Sequence, residues 1–326
     1  MLLLVVSFLC LGSWANTLKL AGPRWRFELF YFDFAIGALA LALIAAFTLG
    51  TQGAELSFND RIAVAGLRSQ AWAIGSGFVF GLGNMLLIAA ISLAGMAAAY
   101  PLVLGLALLV SSFFSIGQAN NIVSLAAGLA LIFVAVLFGA AALKANRQSP
   151  AHAQLSSRGN RSTKALIAGV IAGVIIGISS AISENAFWGD LGLGAYAGTL
   201  MFCIGLVIAT GLFSPFFMNI AIEGGRLTFA SYLKGTGKQH LLGLAGGALW
   251  AAGLLCTLLA QSVPAAVAPT LTSVTLWSYG AVLLAIAWGT LAWREFAASR
   301  KNGLILIALT AILFAAGLFA VAHVRI

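Results

Sequence analysis

Charge is scarce in this sequence. Asp, Glu, Lys and Arg make up 8% of its 326 residues, while 62% are hydrophobic. Such a composition leaves too little material for a wet surface, which excludes a soluble globular protein. Histidine is nearly absent too, and His152, His240 and His323 are scattered along the chain. The three cysteines, Cys10, Cys203 and Cys256, all lie in apolar stretches. An odd number without ligand-like spacing excludes a disulfide framework or thiolate metal centre and points to buried thiols. With no Ser/His/Asp grouping and no clustered metal ligands, no enzyme chemistry, cofactor or metal is expected. A net charge of +9 suggests nucleic acid at first sight. The cations are divided among short loops, however, and form no basic domain, so no nucleic-acid partner is expected.

What the sequence has in abundance is long apolar runs. Taking about eighteen residues as enough to cross a roughly 30 Å hydrocarbon layer as a helix, ten segments qualify. They run at about 2–18, 29–49, 73–94, 97–114, 122–143, 165–186, 195–217, 241–262, 268–291 and 303–323. None alternates as a barrel strand does, and an open sheet cannot satisfy its backbone in lipid. The predicted class is an all-α membrane protein.

Fourteen of the seventeen Lys and Arg fall between spans 1–2, 5–6, 7–8 and 9–10; Arg61, Arg68 and Arg325 lie on the other side. Positive loops stay inside, so both termini are expected outside an inner or plasma membrane. The opening MLLLVVSFLCLGSWA also ends like a small-residue cleavage site at Ser13-Trp14-Ala15, but it lacks the basic start of a signal peptide. Retention as span one is the reading preferred here.

The one long polar stretch, Lys144 to Lys164, divides the spans five and five. It sets the expected organisation: residues 1–143 as one five-helix unit, 144–164 as a cytoplasmic linker, 165–326 as the second. FAIG (Phe34 to Gly37) aligns over FCIG (Phe202 to Gly205), and AYP (Ala99 to Pro101) over VAP (Val267 to Pro269), at one offset of 168 residues. An odd number of spans per unit forces the two units into opposite orientations. This is the inverted-repeat plan of secondary transporters, with substrate held between the units near the bilayer midplane.

GSWANTLKLAGPRWRFELFYFDFAIG (Gly12 to Gly37), GNMLLIAAISLAGMAAAYP (Gly83 to Pro101) and YLKGTGKQHLLGLAGGALW (Tyr232 to Trp250) resemble bacterial relatives of the ureide permeases, a branch of the drug/metabolite transporter superfamily. The resemblance implies a ten-helix, five-plus-five inverted fold. It also implies uptake of small polar metabolites such as allantoin, uracil or related oxo-purines, usually coupled to protons. Plant members carry a Walker-A-like stretch in a long central loop; here the loop is short and holds no G-x-x-x-x-G-K-[ST], so ATP binding is not expected. Sugar uptake and drug or metabolite export occur in neighbouring branches and are the alternatives, with a non-transporting membrane scaffold as the alternative of another class. Expected partners are the small-molecule substrate, membrane lipid and a coupling proton, and the sequence is compatible with a homo-oligomer.

Two acids combine an apolar span with access to the space between the units. Asp33 lies a turn inside span two, either paired with Arg24 or Arg26 to hold the helix end, or desolvated and able to exchange a proton. Glu184, with Ser180, Ser183 and Asn185 beside it, ends span six. These are the proton-coupling candidates; Glu28 reads as structural.

At mid-depth, Gly77, Gly81 and Asn84 share one face of span three, and Gly243, Gly247 and Trp250 one face of span eight. Small-xxx-small spacing serves close packing. The amide and the indole above those glycines also suit a flat heterocycle. Asn84 and Trp250 lead the substrate-binding candidates, followed by Trp14, Asn16, Asn185, Gln261 and Trp277. Trp25, Trp72 and Trp293 read as interface anchors, and Pro101 and Pro269 as helix-start prolines.

Overall fold

The computed structural model describes residues 1–52, 57–145, 158–187, 192–220, 222, 224–262, 271–297, 301–322 and 324. The helices are α1 (Leu2–Ser13), α2 (Asn16–Ala21), α3 (Phe27–Thr48), α4 (Phe58–Val64), α5 (Leu67–Ala94), α6 (Met96–Ser115), α7 (Ile122–Ala145), α8 (Arg158–Phe187), α9 (Gly194–Asn219), α10 (Phe229–Leu233), α11 (Gly237–Ser262), α12 (Leu271–Ala287) and α13 (Lys301–Ala322). Among the described residues, ten stretches are long and apolar enough to cross a membrane: α1 with α2, then α3, α5, α6, α7, α8, α9, α11, α12 with the turn after it, and α13. The protein is thus an all-α, multi-pass membrane protein. Ile44, Phe47, Phe113, Ile208, Phe216, Ile312 and Phe319 stand exposed on the outside of the bundle, a surface suited to lipid.

The helices depart from straight rods at a few places. Span one breaks at Trp14–Ala15, between α1 and α2. After α12 the chain widens into a π-helical turn at Trp288–Ala292. The two irregularities face each other: Trp288 Nε1 donates to Ser13 Oγ at 3.0 Å, and Trp293 Nε1 to Asn16 Oδ1 at 2.6 Å. Pro101 is not at a helix start; it lies inside α6, where its ring removes one intrahelical hydrogen bond. Pro269 lies outside the described residues, as do His152, His323, Asp190 and linker residues 146–157.

Glycines set the closest helix crossings. A side chain at Gly37 of α3 would strike the Leu244 carbonyl of α11, and one at Gly247 of α11 the Phe34 carbonyl of α3. The α5–α9 crossing has the same form. Gly77 lies on the Phe202 carbonyl and Gly205 on the Ile74 carbonyl. The α7–α13 contact repeats the scheme, with Gly128 against the Gly317 carbonyl and Gly317 against that of Gly128. Gly12 of α1 packs on Ala281 and Leu284 of α12, as Gly177 of α8 packs on Ala107 and Val110 of α6. Without a hydrophobic drive between helices in lipid, such close backbone approach supplies the van der Waals packing that holds them.

Candidate functional site

At the centre of the bundle, α3, α5, α9 and α11 contribute a set of touching rings. Trp250 stacks on Phe80, with centroids 4.9 Å apart and planes at 26°, and lies 5.9 Å from Phe34 and 6.0 Å from Phe202. Phe34 stacks on Tyr31 at 5.3 Å and packs on Trp14 at 5.1 Å. The glycine contacts of Gly37 and Gly247 bring these rings together, because they draw α3 and α11 to backbone contact.

One polar pair is embedded there. Asn84, one helical turn beyond Phe80, is 1% exposed and donates through Nδ2 to the Tyr31 hydroxyl at 3.3 Å. Tyr31 in turn donates to the Gly81 carbonyl at 3.0 Å. The Asn84 carbonyl oxygen is buried and has no partner among the described residues. Buried polar atoms are nearly always hydrogen-bonded, so an unpaired acceptor beside an aromatic wall fits an incoming N–H donor.

A second cluster closes one end of α3 and α11. Asp33, 2% exposed, accepts from the Tyr232 hydroxyl of α10 at 2.6 Å. His240 Nδ1 stands 3.0 Å from each of its carboxylate oxygens. The local sequence explains the placement. Thr236 and Gln239 form a reciprocal capping box, with Thr236 N donating to Gln239 Oε1 at 2.8 Å and Gln239 N to Thr236 Oγ1 at 3.3 Å. The box starts α11 and puts His240 in its first turn. Gly243, one turn on, admits the Asp33 side chain against the α11 backbone. Trp25 is buried, with its ring 4.9 Å from that of His240 and 5.9 Å from that of Tyr232, so it is a wall of this cluster and no exposed anchor. Burial and the adjoining Asp33 carboxylate push the Tyr232 phenol up from its ordinary range.

The arginine partner expected for Asp33 is engaged elsewhere. Arg26 pairs with Glu28 and donates to the Gly225 carbonyl, and Arg24 is exposed.

Around Glu295 lies a third cluster. Its carboxylate pairs with Lys19 and accepts from the backbone N–H groups of Met96 and Ala97, both at 2.9 Å. It thereby caps α6 and ties it to α2 and to the π-helical turn, complementing the positive end of the α6 dipole. Arg294, in the left-handed region at φ 48°, turns the chain so that Glu295 N bonds back to the Gly289 carbonyl at 3.0 Å.

The remaining sequence candidates are dispersed. Glu184 is exposed near the end of α8 and faces Ser115 of α6, and Tyr279 of α12 faces Ser111 and Ser180 nearby. Asn185 is exposed and bonds within its own helix. Asn16 holds Trp293, and Trp14 belongs to the central rings. Trp277 meets Phe8 edge-on at 5.7 Å. Gln261 is half-buried near the end of α11, and Trp72 is exposed. The structure thus joins Asn84, Trp250 and Trp14 in one centre and leaves the others apart from it. Sequence reading missed His240, Tyr232, Tyr31 and Glu295. The T-x-x-Q box before His240 was the one available signal, since it marks that histidine as a first-turn residue.

No family model and no curated protein matches the chain. A solved crystal structure is similar in fold, at a TM-score of 0.50 and 18% identity over 99% of this chain and 96% of that one. That likeness concerns architecture, and the chain stands as a multi-pass membrane protein with ten candidate spans among the described residues.

Proposed function

We propose that the protein is a secondary active permease that carries a small, flat, polar metabolite of the ureide, nucleobase or oxo-purine kind by alternating access, coupled to protons and without covalent chemistry. The observation that carries this reading is the doubling of the helix packing around one polar and aromatic centre. The crossing of α3 on α11 has its counterpart in α9 on α5, that of α1 on α12 in α8 on α6, and α7 and α13 meet at equivalent glycines. An exchange of first-half for second-half helices maps each contact onto another, as expected of two five-helix units in opposite orientation.

The pairing also refines the register. Phe34 and Gly37 correspond to Phe202 and Gly205 at the offset of 168, whereas Ile74 and Gly77 correspond to Leu244 and Gly247 at 170. Three residues on, Phe80 becomes the counterpart of Trp250, and these two rings stack on each other. Asn84 then corresponds to Leu254, so the polar side of the centre belongs to one unit only. A flat heterocycle packed against this aromatic wall, donating N–H to Asn84 Oδ1, satisfies the one unpaired acceptor there.

Both termini lie outside and the linker inside, on the asymmetry of the basic loops. The reading is tested by counterflow: purified protein in liposomes preloaded with unlabelled uracil or allantoin should transiently concentrate the labelled compound, and glucose should not compete. An overshoot with glucose alone would favour the sugar-porter alternative, and none with any solute the scaffold.

A further inference from the structure

We infer that Asp33 and His240 together form the proton-coupling site, with Tyr232 as the latch that holds it closed; this rests on the transport reading above and selects among its acids. A buried carboxylate facing an arginine is a fixed ion pair, because the guanidinium does not titrate. Asp33 faces an imidazole, the side chain whose ordinary titration, at about pH 6.5, falls in the physiological range.

No other charge competes for it among the described residues. The groups acting on Asp33 are Tyr232 of α10 and His240 of α11. On its own helix, Glu28 is taken by Arg26. Lys234 and Lys238 are exposed. Helix α9 carries no charged residue, and Arg68 of α5 is about 20 Å along that helix from the turn that meets Tyr31. The charge state of this corner of the bundle is therefore set by protons alone.

The geometry also gives the proton a way in. The Nδ1 edge of His240 points at both carboxylate oxygens. Its Nε2 edge lies beside Gly235, where any side chain would strike both that nitrogen and the Trp25 ring. The His240 side chain is 27% exposed and that of Asp33 3%, so the imidazole is the wet end of the pair. A proton taken at Nε2 gives an imidazolium on a carboxylate. Passing the Nδ1 proton to Asp33 leaves a neutral imidazole and a neutral acid, with no separated charges to hold in lipid. Once Asp33 is protonated its acceptor strength falls, the Tyr232 hydrogen bond weakens, and α10 is released from α3. Glu184 is exposed by comparison, with Ser115 and Tyr279 near it and no imidazole beside it among the described residues.

Trp25 provides a readout independent of transport, since an imidazolium against an indole quenches its emission. Fluorescence of the purified wild-type protein, with Trp25→Phe as the blank, should show one step as the pH is lowered. The step should be absent in His240→Gln, once size-exclusion chromatography has established that this variant is folded and monodisperse. In liposomes, His240→Gln and Asp33→Asn should lose uphill uptake of labelled uracil by at least tenfold and keep counterflow within about threefold. A step that persists in His240→Gln, or wild-type accumulation with an unshifted pH profile in that variant, overturns the proposal. A His240-dependent step in a protein that moves no solute supports the titrating pair and refutes the permease reading instead. His240→Asn, which keeps an N–H donor toward Asp33, controls for folding; restored accumulation in it would also overturn the proposal, since an amide carries no proton.

Discussion

Trp250 of α11 and Phe80 of α5 stack face to face, with centroids 4.9 Å apart, and each is carried there by a glycine three residues earlier that lies on the backbone of a neighbouring helix, Gly247 on Phe34 and Gly77 on Phe202. Two helices that are not each other's main packing partner thus meet through their rings at the middle of the bundle. A wall built this way is held by backbone contact, so it is rigid where a ligand would lie.

Asn84 supplies the polarity of that wall. Asn84→Ala should raise the apparent Km for uracil uptake about tenfold, on the scale of one buried hydrogen bond, at normal expression. Trp250→Phe should weaken uptake less, by losing part of the stacking surface. Unchanged affinity in both variants would make these residues packing and place the substrate elsewhere.

The glycine crossings are predicted to govern stability. Gly37→Ala and Gly247→Ala each drive a methyl group into a carbonyl of the partner helix and should cost about 1–3 kcal/mol. Gly211→Ala, with open space around it, should be neutral or stabilise slightly. Thermal unfolding in detergent distinguishes them, and equal melting temperatures across the three would contradict the packing described.

Much of the fold was legible in the sequence because span length and hydropathy are local properties. All ten predicted spans appear, most with ends shifted by only a few residues, since a helix crossing lipid must be apolar along its own length. What pairs with what was not legible. Asp33 and His240 are 207 residues apart, and nothing along either helix names the other. The nearby Arg24 and Arg26 were the natural guess, but the loop geometry hands Arg26 to Glu28. FAIG and FCIG both mark close crossings, Gly37 on Leu244 and Gly205 on Ile74. The matching glycines of the next helices, Gly77 and Gly247, stand 170 residues apart where the sequence alignment used 168, because glycine-rich apolar segments align almost equally well one turn away. The break in span one left no signal, since Trp14-Ala15 is acceptable inside a helix.

Glu295 is expected to be a structural keystone. Glu295→Ala leaves Lys19 and two helix-end N–H groups without their partner and should destabilise by about 1–3 kcal/mol, the cost of leaving part-buried donors unpaired. Glu295→Gln retains an acceptor for the α6 cap and should fall between the two. A wild-type melting temperature for Glu295→Ala would show that the cap is dispensable.

The orientation can be checked without a substrate. Ser156 belongs to the polar stretch Lys144 to Lys164, with Arg147, Arg158 and Arg161 nearby in sequence. Ser156→Cys, in a background without the three native cysteines, should resist a membrane-impermeant maleimide in intact cells and react after permeabilisation. Ready labelling of intact cells would invert the topology and move the His240 cluster to the outer face.

The most direct test of proton-coupled transport is accumulation of labelled uracil in proteoliposomes under an imposed pH gradient, acidic on the side from which substrate enters. Proton coupling at Asp33 and His240 predicts concentration above the equilibrium level, collapse on adding a protonophore, and loss of both effects in His240→Gln while counterflow survives. Uptake that never exceeds equilibrium, or that is the same with and without the gradient, would contradict it.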